Sequence, residues 1–352
     1  MNVQCQNCSK IYHIRDEQLP KGKKISFPCR NCNGQIMLDL RSKKNPDDTA
    51  HVAKPPINES PEFSVSEESG TENFKEKVLR SVGDLPPMPE ILIKAQKVMS
   101  DPNSSFQEIG RILETDQALA GRVLKLANSA AYGLSGMVSS IQHAAVVLGQ
   151  KTLIEIVTVV GTSKFLGKQL NGYGLQHGDL WKHSLTVAFG SRIIARKKSP
   201  KLENDGFSAG LFHDAGKIVL DPYVLEKKKS FEEYLAGGQK TFSDAEKKIL
   251  GFDHSEIAAE LCKIWNIPDV LAAAIRYHHH PFQVQDNKLS YILHMADSIA
   301  LKIGIDTVAG DVNCQGDEKV MEFLNLKEED VKGIMEEVVE LVNKTVEEMN
   351  KS

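Results

Sequence analysis

Apolar residues recur at helical spacing through most of the chain beyond about residue 74. Over residues 91–99, for example, they fall on one face of a helix. Residues 152–160 have the composition of a strand, but Gly149 precedes them, Gly161 follows them and predicted helices flank them. The pattern therefore predicts a buried helix here, and an all-α, multi-helix domain as a whole.

Histidine and aspartate residues are distributed over several of these predicted helices. His183 lies inside an apolar-periodic helix, and the adjacent pair His213 and Asp214 lies near the end of the next one. Asp253 is a suitable N-cap residue, which puts His254 at the start of a helix. An imidazole next to a carboxylate is a ligand mix that suits divalent first-row metals.

The downstream half of the chain adds more residues of the same kinds. Pro268 suits the first turn of another helix, which is expected to end around His280 because a proline follows that residue. His278 and His279 would then fall in the last turn of that helix, and Asp297 lies on a further one. Side chains from several helices can converge on one pocket, as they do in metal sites of helical bundles.

The C-terminal segment is charged and amphipathic from about Glu328 onward. It is expected to pack back on the helical domain, and the alternative is a seam for a partner or a second copy. Its apolar positions form one stripe, which consists of Val331, Ile334, Met335, Val338, Leu341, Val342 and Val346.

The N-terminal segment contains two Cys-x-x-Cys pairs, Cys5 with Cys8 and Cys29 with Cys32, separated by 20 residues. Four thiolates on two tight turns predict one tetrahedral zinc, and a redox dithiol is the alternative. So short a segment needs the metal to fold. It resembles the small zinc-ribbon module at the N-terminus of many bacterial regulatory proteins, a β-hairpin fold.

Charge and composition divide the chain further. Residues 1–44 contain nine Lys or Arg and three Asp or Glu, which indicates a solvated basic surface or, alternatively, a contact with nucleic acid. The next stretch is rich in proline, serine and acidic residues and predicts a flexible linker. The predicted organisation is a zinc ribbon at 1–40, a linker at 41–75, a helical domain at 76–308 and a C-terminal helical extension at 309–352.

The whole chain has 352 residues, 41% of them apolar and 26% charged, with a net charge of -4. These values are ordinary for soluble globular proteins and imply no polyelectrolyte partner. No apolar run reaches the roughly 18 residues that span a bilayer, and the N-terminus lacks the apolar core of a signal peptide. We therefore expect no membrane association and a cytoplasmic location.

Four motifs resemble the HDOD family, the "HD-related output domain" of bacterial signalling proteins, over about residues 80–300. They are Leu-Pro-x-x-Pro at 85–89, Asp-x-x-Leu-x-x-x-Val-Leu-x-x-Ala-Asn-Ser-Ala at 116–130, Ser-Ile-x-x-Ala-x-x-x-Leu-Gly at 140–149 and the His-Asp stretch at 207–217. The order His, His-Asp, His, His-His, Asp is similar to that of the HD superfamily of metal-dependent phosphohydrolases. The resemblance implies an all-α, HD-like fold.

The resemblance also implies a site for one or two metal ions, such as iron, manganese or another divalent ion. The first would be held by His183, His213, Asp214 and Asp297. The second would be held by His254 with His278 or His279 and bridged by Asp214. If the domain is an enzyme, Lys217 would neutralise phosphate charge.

Two classes of function remain open at this point. The first is a regulatory interaction or ligand-sensing module that acts on protein partners, and the second is a metal-dependent phosphohydrolase acting on a nucleotide or a cyclic dinucleotide. The HD-GYP relatives, which cleave cyclic dinucleotides, carry Gly-Tyr-Pro after the paired histidines, whereas this chain continues with Pro281 and Phe282. We therefore favour the module over the enzyme.

Overall fold

The computed structural model describes residues 2–4, 11–13, 24–28, 35–39, 74, 77–78, 80, 111–134, 136–238, 240–284, 286–305 and 317–351. The chain divides into two compact units, Met1–Ser64 and Val65–Ser352. The predicted zinc ligands Cys5, Cys8, Cys29 and Cys32 lie outside the described residues, as does all but the end of the predicted linker.

The first unit contains two antiparallel strand pairs. Strand β1 pairs with β2 so that Val3 lies opposite Tyr12, and β3 pairs with β4 so that Ser26 lies opposite Met37. In chain order, each predicted Cys-x-x-Cys pair falls between two strands that pair with one another. The strands are β1 Asn2–Gln4, β2 Ile11–His13, β3 Lys24–Pro28 and β4 Gln35–Asp39.

The described part of the second unit is helical, apart from one isolated bridge between Leu170 and Leu175. The prediction of an all-α domain is confirmed, and residues 152–160 lie within a helix. The helices are α1 Gln117–Ala127, α2 Ile141–Leu148, α3 Gln150–Leu166, α4 Asp179–Lys198, α5 Glu203–Phe212, α6 Gly216–Glu226, α7 Lys228–Leu235, α8 Phe242–Leu250, α9 His254–Ile264, α10 Asp269–Arg276, α11 Lys288–Ile303, α12 Asp317–Leu324 and α13 Glu328–Asn350.

Helix α4 is the centre of this unit, because it packs against α5, α11 and α13 and is buried over most of its length. Two glycines next to the His-Asp pair allow neighbouring helices to approach closely. A Cβ atom on Gly210 would lie 2.6 Å from the Cα of Ala188 on α4. A Cβ on Gly216 would lie 2.0 Å from the backbone oxygen of His254 on α9. Residues without side chains at these positions thus bring α4, α5, α6 and α9 together.

Helix α13 packs on α4, α11 and α1 through its apolar stripe. Val331, Ile334, Val338 and Val342 are buried in this contact. On the polar side, Arg196 of α4 donates a hydrogen bond to the carboxylate of Glu337. None of the helices in the described ranges is long and apolar enough to cross a membrane.

Candidate metal centre

The fold places the seven predicted metal ligands on or next to five helices. Helix α10 ends at Arg276, where the backbone N–H of Tyr277 closes the last turn. The two paired histidines therefore lie just beyond the helix, and the prediction that they belong to its last turn is wrong. The positions are His183 on α4, His213 and Asp214 directly after α5, His254 as the first residue of α9, His278 and His279 after α10, and Asp297 on α11.

All seven residues come together in one buried region of the helical unit. They form three overlapping groups, and within each group the candidate ligand atoms lie within 4.8 Å of one another. Nitrogen and oxygen atoms so close together can bind a common divalent cation. The groups are His183 with His213 and Asp214, His213 with His278 and Asp297, and His254 with His278 and His279.

Asp214 lies between the groups and uses both of its oxygens. Its Oδ2 lies 3.5 Å from His213 Nε2 and 3.6 Å from His183 Nε2, whereas its Oδ1 lies 3.2 Å from His254 Nε2. A second carboxylate also approaches His183, since Asp297 Oδ1 lies 3.2 Å from His183 Nε2. A carboxylate in the position of Asp214 can face two ligand groups at once.

Three of the histidine rings are oriented by backbone carbonyl groups. Nδ1 of His183 donates to the backbone oxygen of Ile305 at 2.9 Å, and Nδ1 of His213 donates to that of Gly210 at 2.8 Å. The Nδ1 atom of His278 donates to a third carbonyl, that of Ile275, at 2.6 Å. Because a carbonyl oxygen only accepts, each Nδ1 carries the proton, and in the neutral ring the lone pair is on Nε2. This arrangement is typical of metal-binding histidines.

His254 is oriented instead by a buried carboxylate. Glu246 on α8 accepts hydrogen bonds from Nδ1 of His254 at 2.7 Å and from its backbone N at 2.8 Å. The other oxygen of Glu246 accepts from the hydroxyl of Tyr173 at 2.5 Å. Glu246 is not among the predicted site residues, although it lies four residues from both Phe242 and Leu250, which are buried on the same face of α8. An acidic residue on an otherwise apolar helix face was the signal in the sequence that could have identified Glu246 as part of a buried site.

A second residue outside the predicted ligand set supports the paired histidines. The Nδ1 atom of His294 on α11 donates to the backbone oxygen of His278 at 2.7 Å. His294 is 7% exposed, so this bond is shielded from water. It fixes the turn that follows α10 and with it the direction of the His278 ring.

The centre has more acceptors than donors. The Nε2 atoms of His183 and His213 lie 3.3 Å apart, and in neutral rings both would present lone pairs. The buried Nε2 of His278 has no hydrogen-bond partner in the described part of the chain. A buried polar atom without a partner is costly, and bound metal is one of the ways in which proteins satisfy it.

The formal charges lead to the same conclusion. Asp214, Asp297 and Glu246 bring three carboxylates to the centre, whereas Lys217, 2.9 Å from Asp214, is the one lysine or arginine that pairs with any of them in the described chain. Buried carboxylates need compensating positive charge. In the absence of a metal, Lys217 and the protonated rings of His254 and His183 supply this charge. A divalent cation that displaces the ring protons fits the same set of residues.

The pKa shifts show which groups stay ionised. Burial raises the pKa of Asp214, but the charges of His213, Lys217 and His254 outweigh it and hold the value well below the usual range. Burial likewise opposes ionisation of Asp297, but hydrogen bonding and charge interaction with His183 lower its pKa. Both carboxylates are therefore anionic at neutral pH.

The imidazoles divide into two classes. Burial lowers the pKa of His254, but Glu246 and Asp214 are among the charges that outweigh it, and the pKa lies well above the usual value. His254 therefore carries a second proton, and its Nε2 is 2.8 Å from Nε2 of His279. Burial and the neighbouring imidazoles lower the pKa of His278 to about 3, so this ring is neutral and can bind a metal through Nε2.

One narrow cleft leads toward the centre in the described part of the chain. It offers about 30 Å³ to water-sized groups, and His279 and Asp297 form part of its wall together with Thr241, Ser243 and Ser298. A single water needs about 10–15 Å³ measured in this way. The cleft therefore has room for about two waters beside the ligand atoms.

Comparison with known proteins identifies the family. The HDOD domain model matches residues 85–281, more than half of the chain, so the protein belongs to the HDOD domain family. An uncharacterized protein from Treponema pallidum (strain Nichols) is 23% identical over 218 residues, which cover 62% of this chain and 42% of that protein. The chain thus spans less than half the length of this curated relative.

Solved structures share the fold. An HDOD domain protein of unknown function from Geobacter sulfurreducens is 24% identical, with a TM-score of 0.64 over 80% of this chain and 98% of that one. The "Putative signal transduction protein" from Marinobacter aquaeolei VT8 is 21% identical, with a TM-score of 0.62, and the match covers 82% of this chain and 67% of that one. The "Putative phosphohydrolase" from Shewanella amazonensis SB2B is 25% identical, with a TM-score of 0.60, and the match covers 77% of this chain and 96% of that one.

Proposed function

We propose that this protein is a bacterial signal-transduction protein whose HDOD domain is a metal-binding interaction or ligand-sensing module. The observation that carries the proposal is the combination of an assembled ligand set with almost no free space beside it. The candidate ligand atoms lie within 4.8 Å of one another in each group, yet the adjoining cleft holds about two waters. Such a cleft supports binding of a metal ion more than binding of a nucleotide.

The proposed metal is iron, manganese or another divalent ion, because imidazole and carboxylate ligands suit these ions. His183, His213, Asp214 and Asp297 would hold the first ion. His254, His278 and His279 would hold a second, with Asp214 shared between the two. When bound, the metal supplies the positive charge that the buried carboxylates lack, and it can act as a Lewis acid. Glu246 and the three backbone carbonyls orient the rings.

A phosphohydrolase is the second candidate, and Lys217 is the observation that favours it. Its ammonium group lies at the centre and could neutralise phosphate charge, and one structural neighbour bears the name "Putative phosphohydrolase". However, Lys217 is 1% exposed and its Nζ is 2.9 Å from Asp214. In this arrangement the lysine balances a ligand carboxylate and does not face an open substrate pocket.

Hydrolysis of a phosphodiester distinguishes the two candidates. The full chain, loaded with Mn²⁺ or with Fe²⁺ under anaerobic conditions, would be incubated with bis(4-nitrophenyl) phosphate beside the Asp214→Ala variant. We expect no hydrolysis by the wild type above that of the variant. Metal-dependent turnover that disappears in both Asp214→Ala and Lys217→Ala would contradict the module and support the enzyme.

We also propose that Cys5, Cys8, Cys29 and Cys32 bind one zinc ion. Their spacing supports this, since two Cys-x-x-Cys pairs supply four thiolates. Their place in chain order supports it as well, because each pair falls between two antiparallel partner strands. The proposed domains keep the predicted bounds: zinc ribbon 1–40, linker 41–75, HDOD domain 76–308 and helical extension 309–352.

The proposed setting is the cytoplasm, and the proposed partners are other signalling proteins. Metal-ligand spacing of four of the six cysteines is typical of a reducing compartment. Binding of nucleic acid by the basic N-terminal segment stays a prediction. A steep decrease in DNA or RNA binding with increasing salt, absent after deletion of residues 1–44, would be its signature.

A further inference from the structure

A second concave surface lies where helices α1, α3, α4 and α13 meet. It is a cleft of about 470 Å³, a volume within the usual range for small-molecule pockets. None of the seven candidate metal ligands lines it. The cleft is therefore separate from the histidine centre, although Trp181 and Lys182 in its wall directly precede His183 on α4.

The cleft is basic. Arg122 of α1, Lys164 of α3 and Lys182 of α4 line it, and among the described residues of its wall Asp179 is the one carboxylate. Asp179 Oδ2 accepts a hydrogen bond from the backbone N of Gln176 at 2.7 Å. In the described parts of the chain, none of the three basic side chains forms an ion pair with a carboxylate. Their charges are available to an anion.

The start of α4 adds to this positive potential. Gly178 precedes the helix in the left-handed conformation, with φ of 93°, and no side chain caps the first turn. Amide N–H groups at the beginning of a helix have no intrahelical acceptors, and the helix dipole is positive at that end. Phosphate groups bind at such positions in many proteins.

Part of the remaining wall is apolar, although Ser163, His177 and Asn350 also line the cleft. Val346 and Met349 of α13 lie in the cleft together with Trp181. Trp181 is 7% exposed, and its buried Nε1 has no hydrogen-bond partner among the described residues. Buried indole N–H groups usually have a partner, so this donor is unusual among the groups of the wall.

From these observations we propose that the cleft binds a small organic phosphate. A phosphate has more than one negative charge and several acceptor oxygens. It therefore matches the guanidinium, the two ammonium groups and the uncapped helix start better than a carboxylate ligand does. The apolar wall fits a ring or chain attached to that phosphate. Such a ligand would contact the helix that carries His183, and it would do so without entering the histidine centre.

Isothermal titration calorimetry on the full chain tests the proposal with AMP, pyrophosphate and adenosine as probes. AMP is expected to bind, and adenosine, which has the ring but no phosphate, is expected to bind at least about tenfold more weakly, equivalent to about 1.4 kcal/mol. The double variant Lys164→Glu/Lys182→Glu is expected to weaken AMP binding by at least the same factor. The matched control Lys151→Glu reverses an exposed lysine on the same helix α3, outside the cleft, and should bind as the wild type does.

Several results would overturn the proposal. These are no binding of AMP or pyrophosphate to the wild type, equal affinity for AMP and adenosine, or an equal loss in Lys151→Glu and in the double variant. Binding that survives in the double variant and disappears in Asp214→Ala would locate the ligand at the histidine centre instead. Retention of AMP affinity in Asp214→Ala, together with its loss in the double variant, is the result that supports the cleft.

Discussion

Two of the buried polar clusters in the described part of the helical unit differ in how their charges are balanced. In the first, Glu155 of α3 accepts hydrogen bonds from Arg192 of α4 and, at 3.3 Å, from Tyr132. The guanidinium of Arg192 also lies 4.9 Å from the ring centre of Phe189 and 5.5 Å from that of Phe207. One cation here faces one anion, and the aromatic rings cover the guanidinium.

The histidine centre has the opposite balance. Three carboxylates there meet one lysine and several imidazole rings. A balanced pair such as Glu155 with Arg192 joins two helices and needs no further ion. At the histidine centre, protons on His254 and His183 supply part of the positive charge, and a divalent cation that displaces these protons can supply it instead. The comparison thus separates a polar joint of the scaffold from a candidate site within a single core.

The largest predicted effect concerns the balanced pair. Arg192→Met leaves the Glu155 carboxylate buried without its cation, and we expect a loss of about 3–5 kcal/mol in the free energy of unfolding. Adding Glu155→Leu should recover most of that loss, because a buried ion pair can often be replaced by apolar groups. Urea denaturation of the three proteins checks this. A double variant as unstable as Arg192→Met would contradict the scaffold assignment.

Metal removal should distinguish the histidine centre from that pair. A ligand present at 100 times its Kd stabilises the folded state by about 2.7 kcal/mol. We therefore expect chelation to lower the thermal midpoint and readdition of Mn²⁺ or Fe²⁺ to restore it. Asp214→Ala serves as the control and should show no response to the added ion. A wild-type midpoint that is indifferent to these ions would count against the centre.

Glu246 should affect the metal without contacting it. Glu246→Gln keeps the side-chain shape but weakens the acceptor for His254, and such partners typically contribute 10–100-fold to metal affinity. We expect a loss of about that size in competition with a fluorescent chelator. Glu256→Gln is the matched control, because Glu256 lies on α9, accepts a hydrogen bond from Arg276 and belongs to none of the candidate ligand groups. Equal affinities for the two variants would refute the role of Glu246.

The smallest effect is a pH dependence. His254 and His183 have raised pKa values in the metal-free protein, because carboxylates outweigh burial. Protons therefore compete with the metal at and below these raised values, and apparent affinity should increase with pH by up to about tenfold per unit for each proton released. Metal titrations between pH 6 and 8 measure the slope. An affinity that falls as pH rises would be inconsistent with protonated ligands.

Local patterns in the sequence predict much of the fold. Residues 152–160 form part of α3 as expected, because flanking glycines and neighbouring helices outweigh the strand-like composition. Asp253 caps α9 by accepting from the backbone N of Glu256, so that His254 begins the helix. Helix α13 begins at Glu328, where the apolar stripe begins. In each case the signal lies within a few residues of the element.

The supporting contacts of the candidate site could not be predicted in the same way. Glu246 reaches His254 from another helix, and Tyr173 reaches Glu246 from a loop far upstream. The carbonyl that orients His183 belongs to Ile305, 122 positions away. These contacts depend on how the helices pack, and one sequence contains no direct signal of long-range packing. Whether the candidate ligands can hold one metal ion or two depends on the same packing, because it sets the distances between them.

Metal content per chain is the most direct test of the central claim. Purified wild type, Asp214→Ala and Cys29→Ser would be compared by inductively coupled plasma mass spectrometry. We expect zinc that Cys29→Ser removes and, in addition, iron, manganese or another divalent metal that Asp214→Ala removes from a protein with unchanged helical content. If the wild type carries only the zinc that Cys29→Ser removes, the histidine cluster is a polar core without a metal, and the account given for it is wrong.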